Sequence, residues 1–365
     1  MAVKKTDPRV MAKEYGRDPE RELQAKSHWY DAVGGLPAEA AVNSALSEGG
    51  SMGIVGHRGW RFGQDNTSWL NTFDYCPHGT VEELMSTGEE LRAAGAGGLL
   101  PGPKDYTLPE PFLWYLFLSL AEACRTMENT RDDRRPADID LQIVHRDMKP
   151  ENVFCGEPRD GWPYPAPLLG DFGMALWTDE QDVKNPHQYI GVGTEGFSAP
   201  EQTKEFQSGR RDQRNEPKPR LLSHTNVWNT AWILYCAARD LPEPPKQIWE
   251  DVAAAMRSPE ALAAWVKEEY STDGWPYSEE LRALILECLS PDPSSRPTVA
   301  DLIQRIRSEM NRLNFFPHQW GNHPQERRRE FLQVKPRPPR WRIGQALDPS
   351  SGRVEEEGNK RRKTS

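Results

Sequence analysis

Apolar residues at positions 112, 113, 116, 117, 120, 123, 124 and 127 recur at the i, i+3, i+4 spacing that lays one stripe along a buried helix. Leu281, Leu284, Ile285, Cys288 and Leu289 form a second stripe of that kind. Between them, residues 226–238 make an apolar segment carrying Trp228, Trp232 and Tyr235. Thr298-Val-Ala-Asp301 caps a last helix that runs to about Met310. The front of the chain is patterned differently. Residues 2–5 read as the end of an apolar strand, and 18–29 as a helix with Asp18 as N-cap and Pro19 in its first turn. Residues 31–53 lack a period and read as a stretch that includes a loop. Strand-like runs follow at 53–55 and 69–75, then a turn at 76–79 and a capping box from Thr80 to Glu83.

Residues 90–110 are rich in Gly and Pro, and 131–138 and 204–218 are charged, so all three read as loops. After Phe316 the chain turns basic and Pro-rich and ends in Lys360-Arg361-Arg362-Lys363, a tail expected to be disordered and open to an import receptor. A formal net charge of −9 speaks against non-specific binding to nucleic acid or an anionic membrane surface. The longest apolar window, 112–120, is too short to span a bilayer. Five dispersed cysteines, none in a CxxC pair, fit reduced thiols and an intracellular setting, cytoplasm or nucleus.

The chemistry is concentrated in 143–201. Ile-Val-His-Arg-Asp-Met-Lys-Pro-Glu-Asn occupies 143–152, Gly-Asp-Phe-Gly 170–173 and Gly-Thr-Glu-Gly-Phe-Ser-Ala-Pro-Glu 193–201. In this order and spacing they resemble the catalytic loop, metal-binding turn and activation-segment end of a eukaryotic protein kinase of serine/threonine type. The resemblance covers roughly residues 2–306. It implies an α+β, two-lobed kinase-like fold, with an N-lobe at 1–79, a mainly helical C-lobe at 80–310 and a tail at 311–365.

The resemblance also implies roles. Asp147 would orient the substrate hydroxyl and accept its proton, Lys149 would reach the transferred phosphate, and Thr194 would contact both. Asn152 and Asp171 would supply oxygens to Mg²⁺. Lys4, in Ala2-Val3-Lys4, matches the strand lysine that holds the ATP phosphates; its carboxylate partner is expected to be Glu22, with Glu20 the rival. Phe73-Asp74-Tyr75-Cys76 resembles the hinge, where Asp74 and Cys76 would present backbone groups to adenine and Phe73 would be the gatekeeper. Phe154 would pack beneath the base. Glu201 is expected to pair with Arg296. Arg146 would meet a phosphorylated activation loop or bond locally; both readings stay open, since that loop offers only Thr178 and Tyr189.

Two positions depart from the pattern. Asn226 stands where the family has an aspartate that holds the catalytic-loop backbone. No Gly-x-Gly-x-x-Gly run precedes Lys4, as in an N-terminally truncated kinase, and Gly53, Gly56 and Gly59 read as turn glycines. The upper sheet is therefore expected to be incomplete, with three strands rather than five, its underside open to a protein partner. The function expected is ATP- and Mg²⁺-dependent phosphorylation of protein hydroxyls, impaired by the absent loop. The alternative is a kinase-fold scaffold that works by binding.

Overall fold

A computed structural model describes residues 1–10, 36–48, 50–64, 67–85, 108–130, 141–159, 161–194, 196–204, 207, 218–239 and 276–325. The upper part is a sheet of three strands, β1 (Ala2–Thr6), β2 (His57–Phe62) and β3 (Trp69–Phe73), in the antiparallel order β1-β3-β2. The period of two along β1 turns Val3 and Lys5 outward and Lys4 inward, opposite Asn71 of β3. Helix α1 (Ala38–Glu48) packs against this sheet and buries Glu39, Ala40, Ala41, Val42, Asn43 and Leu46. The helix occupies 38–48 of the stretch in which the sequence shows no period. Alanine is the strongest helix former, but Ala38-Glu39-Ala40-Ala41-Val42 offers little contrast between an apolar and a polar face, so no period shows. The helix expected at 18–29 lies outside the described residues.

The strand expected at 53–55 is a single bridge from Ile54 to Leu169, and the strand proper begins at His57. Gly59, read as a turn glycine, instead sits inside β2 at a bulge after His57, where its φ of 127° suits glycine. Gly53 does mark a close approach: a Cβ there would run into the Ser119 carbonyl.

The lower part is helical. Helix α2 (Glu110–Asn129) lies at its centre, with Phe112, Leu113, Leu116, Phe117 and Leu120 fully buried. Helix α3 (Ser223–Arg239), α4 (Glu279–Cys288) and α5 (Val299–Arg312) surround it. Two caps read from sequence form: Thr80 and Thr298 accept the backbone N–H groups of Glu83 and Asp301, and Ser278 accepts that of Leu281 at a cap the sequence reading did not name. Two short antiparallel pairs sit between the lobes. One joins β4 (Gln142–Val144) to β7 (Leu176–Thr178); the other joins β5 (Val153–Gly156) to β6 (Ala166–Leu169). Among the described residues no helix is long and apolar enough to cross a membrane.

Packed structure continues past residue 310, which corrects the start of the expected tail. Phe315 is buried, and a 3-10 turn at Pro317–Asn322 brings Trp320 to 5.7 Å from the Tyr164 ring. Trp162 stacks on Tyr115 with ring centroids 4.0 Å apart. Aromatic residues on the β5–β6 connection thus give this segment a surface to cover. Residues 326–365, including the basic cluster, lie outside the described residues.

The segment from 174 to 203 is tied down by polar side chains. Buried Asn185 donates to Thr178 Oγ1 at 2.8 Å and to the Leu221 carbonyl at 2.9 Å, and accepts the Leu221 N–H at 2.8 Å. Asp182 Oδ2 accepts from Thr178 Oγ1 and from the Tyr189 hydroxyl, at 3.2 and 2.9 Å. At the far end Glu201 and Arg296 form a fully buried pair with two bonds of 2.7 and 2.9 Å.

Two outcomes follow for stability. Replacing Asn185 by Ala leaves both backbone groups of Leu221 unpartnered, and each such buried group costs about 1–3 kcal/mol; chemical denaturation of N185A should show a loss of this order, and a midpoint equal to wild type would refute it. Glu201→Gln breaks a buried ion pair, which typically costs about 3–5 kcal/mol. Burial opposes the Glu201 carboxylate, but the Arg296 guanidinium outweighs it and holds the folded pKa below its ordinary value. The pair's contribution is therefore complete above the unfolded pKa of about 4.3 and is lost as pH falls through the lower folded value. Acid unfolding of E201Q should lack this component.

Candidate functional site

The turn after β4 is built around buried backbone. His145 N–H donates to Asn226 Oδ1 at 3.1 Å, while Asn226 Nδ2 donates to the Ile143 carbonyl at 2.9 Å. The amide thus grips the strand end from α3 with both of its ends. His145 Nδ1 accepts the Asp147 N–H at 3.3 Å, which places the ring proton on Nε2, 3.0 Å from the Gly170 carbonyl. Burial pushes the His145 pKa down, in keeping with this neutral tautomer. The ring also lies 4.7 Å from that of buried Phe172. The 147 turn and the 171 turn are therefore joined through one histidine.

Asp147 is held from two sides. Its Oδ1 accepts from Thr194 N at 2.8 Å and Thr194 Oγ1 at 2.7 Å, across 47 residues of chain. Asn152 Nδ2 donates to the Asp147 carbonyl at 2.8 Å and lies 3.4 Å from Oδ2. Thr194 can come this close because Gly193 has a φ of 111° and no Cβ; a Cβ there would collide with the Arg146 carbonyl. Lys149, on the same turn, has its ammonium 3.9 Å from Glu151.

Facing this group is a second one. Asp171 adopts a left-handed conformation, φ 60°, that sends Phe172 inward and its own carboxylate toward β1. Its Oδ1 lies 2.6 Å from Lys4 Nζ. Lys4 is also 2.6 Å from Oε1 of Glu39, a carboxylate almost without exposure. Desolvation works against the Lys4 charge, but Glu39 and Asp171 together raise its pKa above the ordinary lysine value. Burial likewise works against Asp171, and Lys4 outweighs it, so that carboxyl sits below its ordinary value.

The carboxylate that meets Lys4 is thus Glu39 of α1; Glu22 and Glu20 lie outside the described residues. The signal for Glu39 was faint: an acidic residue in the first turn of an alanine-rich run, just after Pro37. Sequence reasoning also passed over Asp182 and Asn185, whose roles depend on contacts with chain as far away as Leu221.

Beside β3, the Asp74 N–H donates to the Gly56 carbonyl at 2.8 Å, and its carboxylate pairs with Arg58 at 2.7 Å. The Asp74 carbonyl is in neither bond. The Cys76 thiol is pushed up to about 12 by burial and by the nearby Asp74 charge, which leaves it protonated. Phe154 lies against Gly170, where a Cβ would come within 2.8 Å of its ring.

Arg146 Nε donates to the Met174 carbonyl at 2.6 Å and its Nη1 to the Tyr189 carbonyl at 3.4 Å, both on the segment that follows the Asp-Phe-Gly turn. Burial lowers its pKa to about 10.

Comparison with known proteins fits this geometry. A family model described as protein kinase domain matches residues 140–306. Serine/threonine-protein kinase Nek10 of Homo sapiens is 27% identical over 207 residues, which is 57% of this chain and 14% of its own length. G2-specific protein kinase nim-1 of Neurospora crassa is 28% identical over 171 residues, 46% of this chain and 16% of its own. The probable serine/threonine-protein kinase nek2 of Dictyostelium discoideum is 25% identical over 196 residues, 54% of this chain and 37% of its own. The chain spans well under half the length of these relatives. From the His-Arg-Asp turn through the Glu201–Arg296 pair to α5, residues 140–306 match a protein kinase domain, and the chain has a two-lobed, kinase-like α+β fold.

Proposed function

We propose that the chain transfers the γ-phosphate of ATP to serine or threonine hydroxyls of proteins, with Asp147 as the residue that receives the hydroxyl proton. The observation that carries this reading is the double grip of Thr194 on Asp147 Oδ1, at 2.8 and 2.7 Å. It anchors Oδ1 and leaves Oδ2, which takes only the long 3.4 Å contact from Asn152, for an incoming hydroxyl. Phosphoryl transfer demands positioning and charge neutralisation more than covalent chemistry, and the site is built for that. Lys149, two residues on, supplies a positive charge for the transferred group. Lys4, braced by Glu39, supplies a second for the other phosphates. The Asp74 carbonyl and the Cys76 backbone N–H would meet the adenine edge, beside Phe73 and over Phe154.

The oxygens present fit a hard cation. Asp171 offers a carboxylate, and Asn152, whose Nδ2 is engaged by Asp147, keeps its amide oxygen as an acceptor. Among the described residues no three acidic, histidine or cysteine side chains cluster as a cage. Two protein oxygens completed by water and phosphate is the way Mg²⁺ is commonly held beside a nucleotide. Bound there, it would neutralise phosphate charge during transfer. All five cysteines are free thiols, in keeping with a reducing, intracellular setting.

The test separates binding from chemistry. Mg-ATP binding is measured by calorimetry and transfer with labelled ATP on a mixed panel of protein substrates. Asp147→Asn should keep binding and lower transfer by about 10²–10⁴-fold, the range for loss of a proton-accepting group. Asp171→Asn should weaken Mg-ATP binding itself. Equal transfer by wild type and D147N would refute the assignment. Tight Mg-ATP binding by wild type with no transfer to any substrate would favour the scaffold reading.

A further inference from the structure

We propose that Thr6 is a positioning residue: its hydroxyl holds the Glu39 carboxylate so that one oxygen stays aimed at Lys4, a role that rests on the kinase reading of the Lys4 site. Thr6 Oγ1 donates to Glu39 Oε2 at 3.0 Å, while Lys4 Nζ takes Oε1 at 2.6 Å. The two donors stand at i and i+2 on the inward face of β1, about 7 Å apart along the strand. They converge on the two oxygens of one carboxylate that is nearly inaccessible to solvent.

The geometry separates this from an incidental contact. A lone Lys4–Glu39 pair joins β1 to α1 at a single point, about which the helix can turn. The terminal torsion of a glutamate is broad and nearly two-fold, so a single bond leaves the carboxylate plane poorly fixed. A second donor from the same strand makes the join a two-point clamp and sets both the plane and the rotation of α1 against the sheet.

Lys4 has a competing partner. Its ammonium lies at the same 2.6 Å from Asp171 as from Glu39. Any ligand that draws on Asp171 or on Lys4 disturbs the first point of the clamp. The Thr6 bond involves neither group, so it keeps Glu39 in place while Lys4 shifts. Thr6 therefore preserves the docked position of α1, and with it the lysine's orientation, during loading of the site.

Two variants distinguish the hydroxyl from the packing. Thr6→Val keeps the volume and β-branching that suit a strand and removes the hydrogen bond. Thr6→Ser keeps the hydroxyl and removes the methyl. Mg-ATP affinity is measured by calorimetry, and hydrogen exchange of residues 38–48 is followed in nucleotide-free protein. A hydrogen bond to a charged group is strong enough that T6V should bind Mg-ATP roughly tenfold more weakly, with T6S within about twofold of wild type. Exchange in 38–48 should be faster in T6V alone. T6V matching wild type in both measurements overturns the proposal, and so does T6S failing as T6V does, since the methyl would then be what matters. If wild type binds no Mg-ATP, the kinase reading of the Lys4 site fails on its own. The exchange comparison then still decides the clamp: faster exchange in T6V but not T6S supports it, and equal exchange overturns it.

Discussion

The ammonium of Lys4, set between two carboxylates at 2.6 Å each, is the interaction on which the arrangement of the upper site depends. It joins three elements at one point: the edge of the sheet, the first turn of α1 and the 171 turn. Each partner offsets a cost that the others impose. Desolvation works against the charges of Lys4 and Asp171, and the attraction of their partners outweighs it. Removing one member would leave a charge in a poorly hydrated place, which costs more than the pair itself contributes. The cluster is therefore less a source of stability than a constraint on geometry.

The lower site uses a different economy of bonds. Asp147 is fixed by neutral donors, a threonine hydroxyl, a backbone N–H and an asparagine amide, rather than by a cation. A counter-ion in contact would have blocked the approach of a hydroxyl. The histidine that links this turn to Gly170 is kept neutral by burial, so it transmits position between the two turns without adding charge to either.

What was legible in the sequence was what is local. The His-Arg-Asp turn, the Asp-Phe-Gly turn and the caps at Thr80 and Thr298 are set by residues within a few positions of each other, and short-range chemistry dictates them. The stripe of α2 was legible because Phe and Leu contrast with their neighbours. Helix α1 was not, because alanine is nearly neutral in that contrast although it favours the helix itself. Glu39 was lost with it: a partner 35 residues from Lys4 cannot be picked out among several glutamates until the helix that carries it is known. The aromatic segment after 313 was read as tail because its partners, Tyr164 and Trp162, belong to a Pro-rich connection that gives no periodic signal.

Asn226 shows how a departure from a family pattern can be matched to its surroundings. A carboxylate at this position could only accept hydrogen bonds. It would take the His145 N–H as the amide oxygen does, but its second oxygen would face the Ile143 carbonyl, 2.9 Å from the atom that now donates to it. Two acceptors at that separation in a fully buried place repel, and neither has water to turn to. The amide, with a donor at one end and an acceptor at the other, satisfies both backbone groups at the start of the turn. The neutral residue therefore does not loosen the catalytic turn, as its lack of charge first implies. It exchanges an electrostatic hold for a complementary one, and the backbone of 143–145 is the part of the turn that Asp147 inherits its position from.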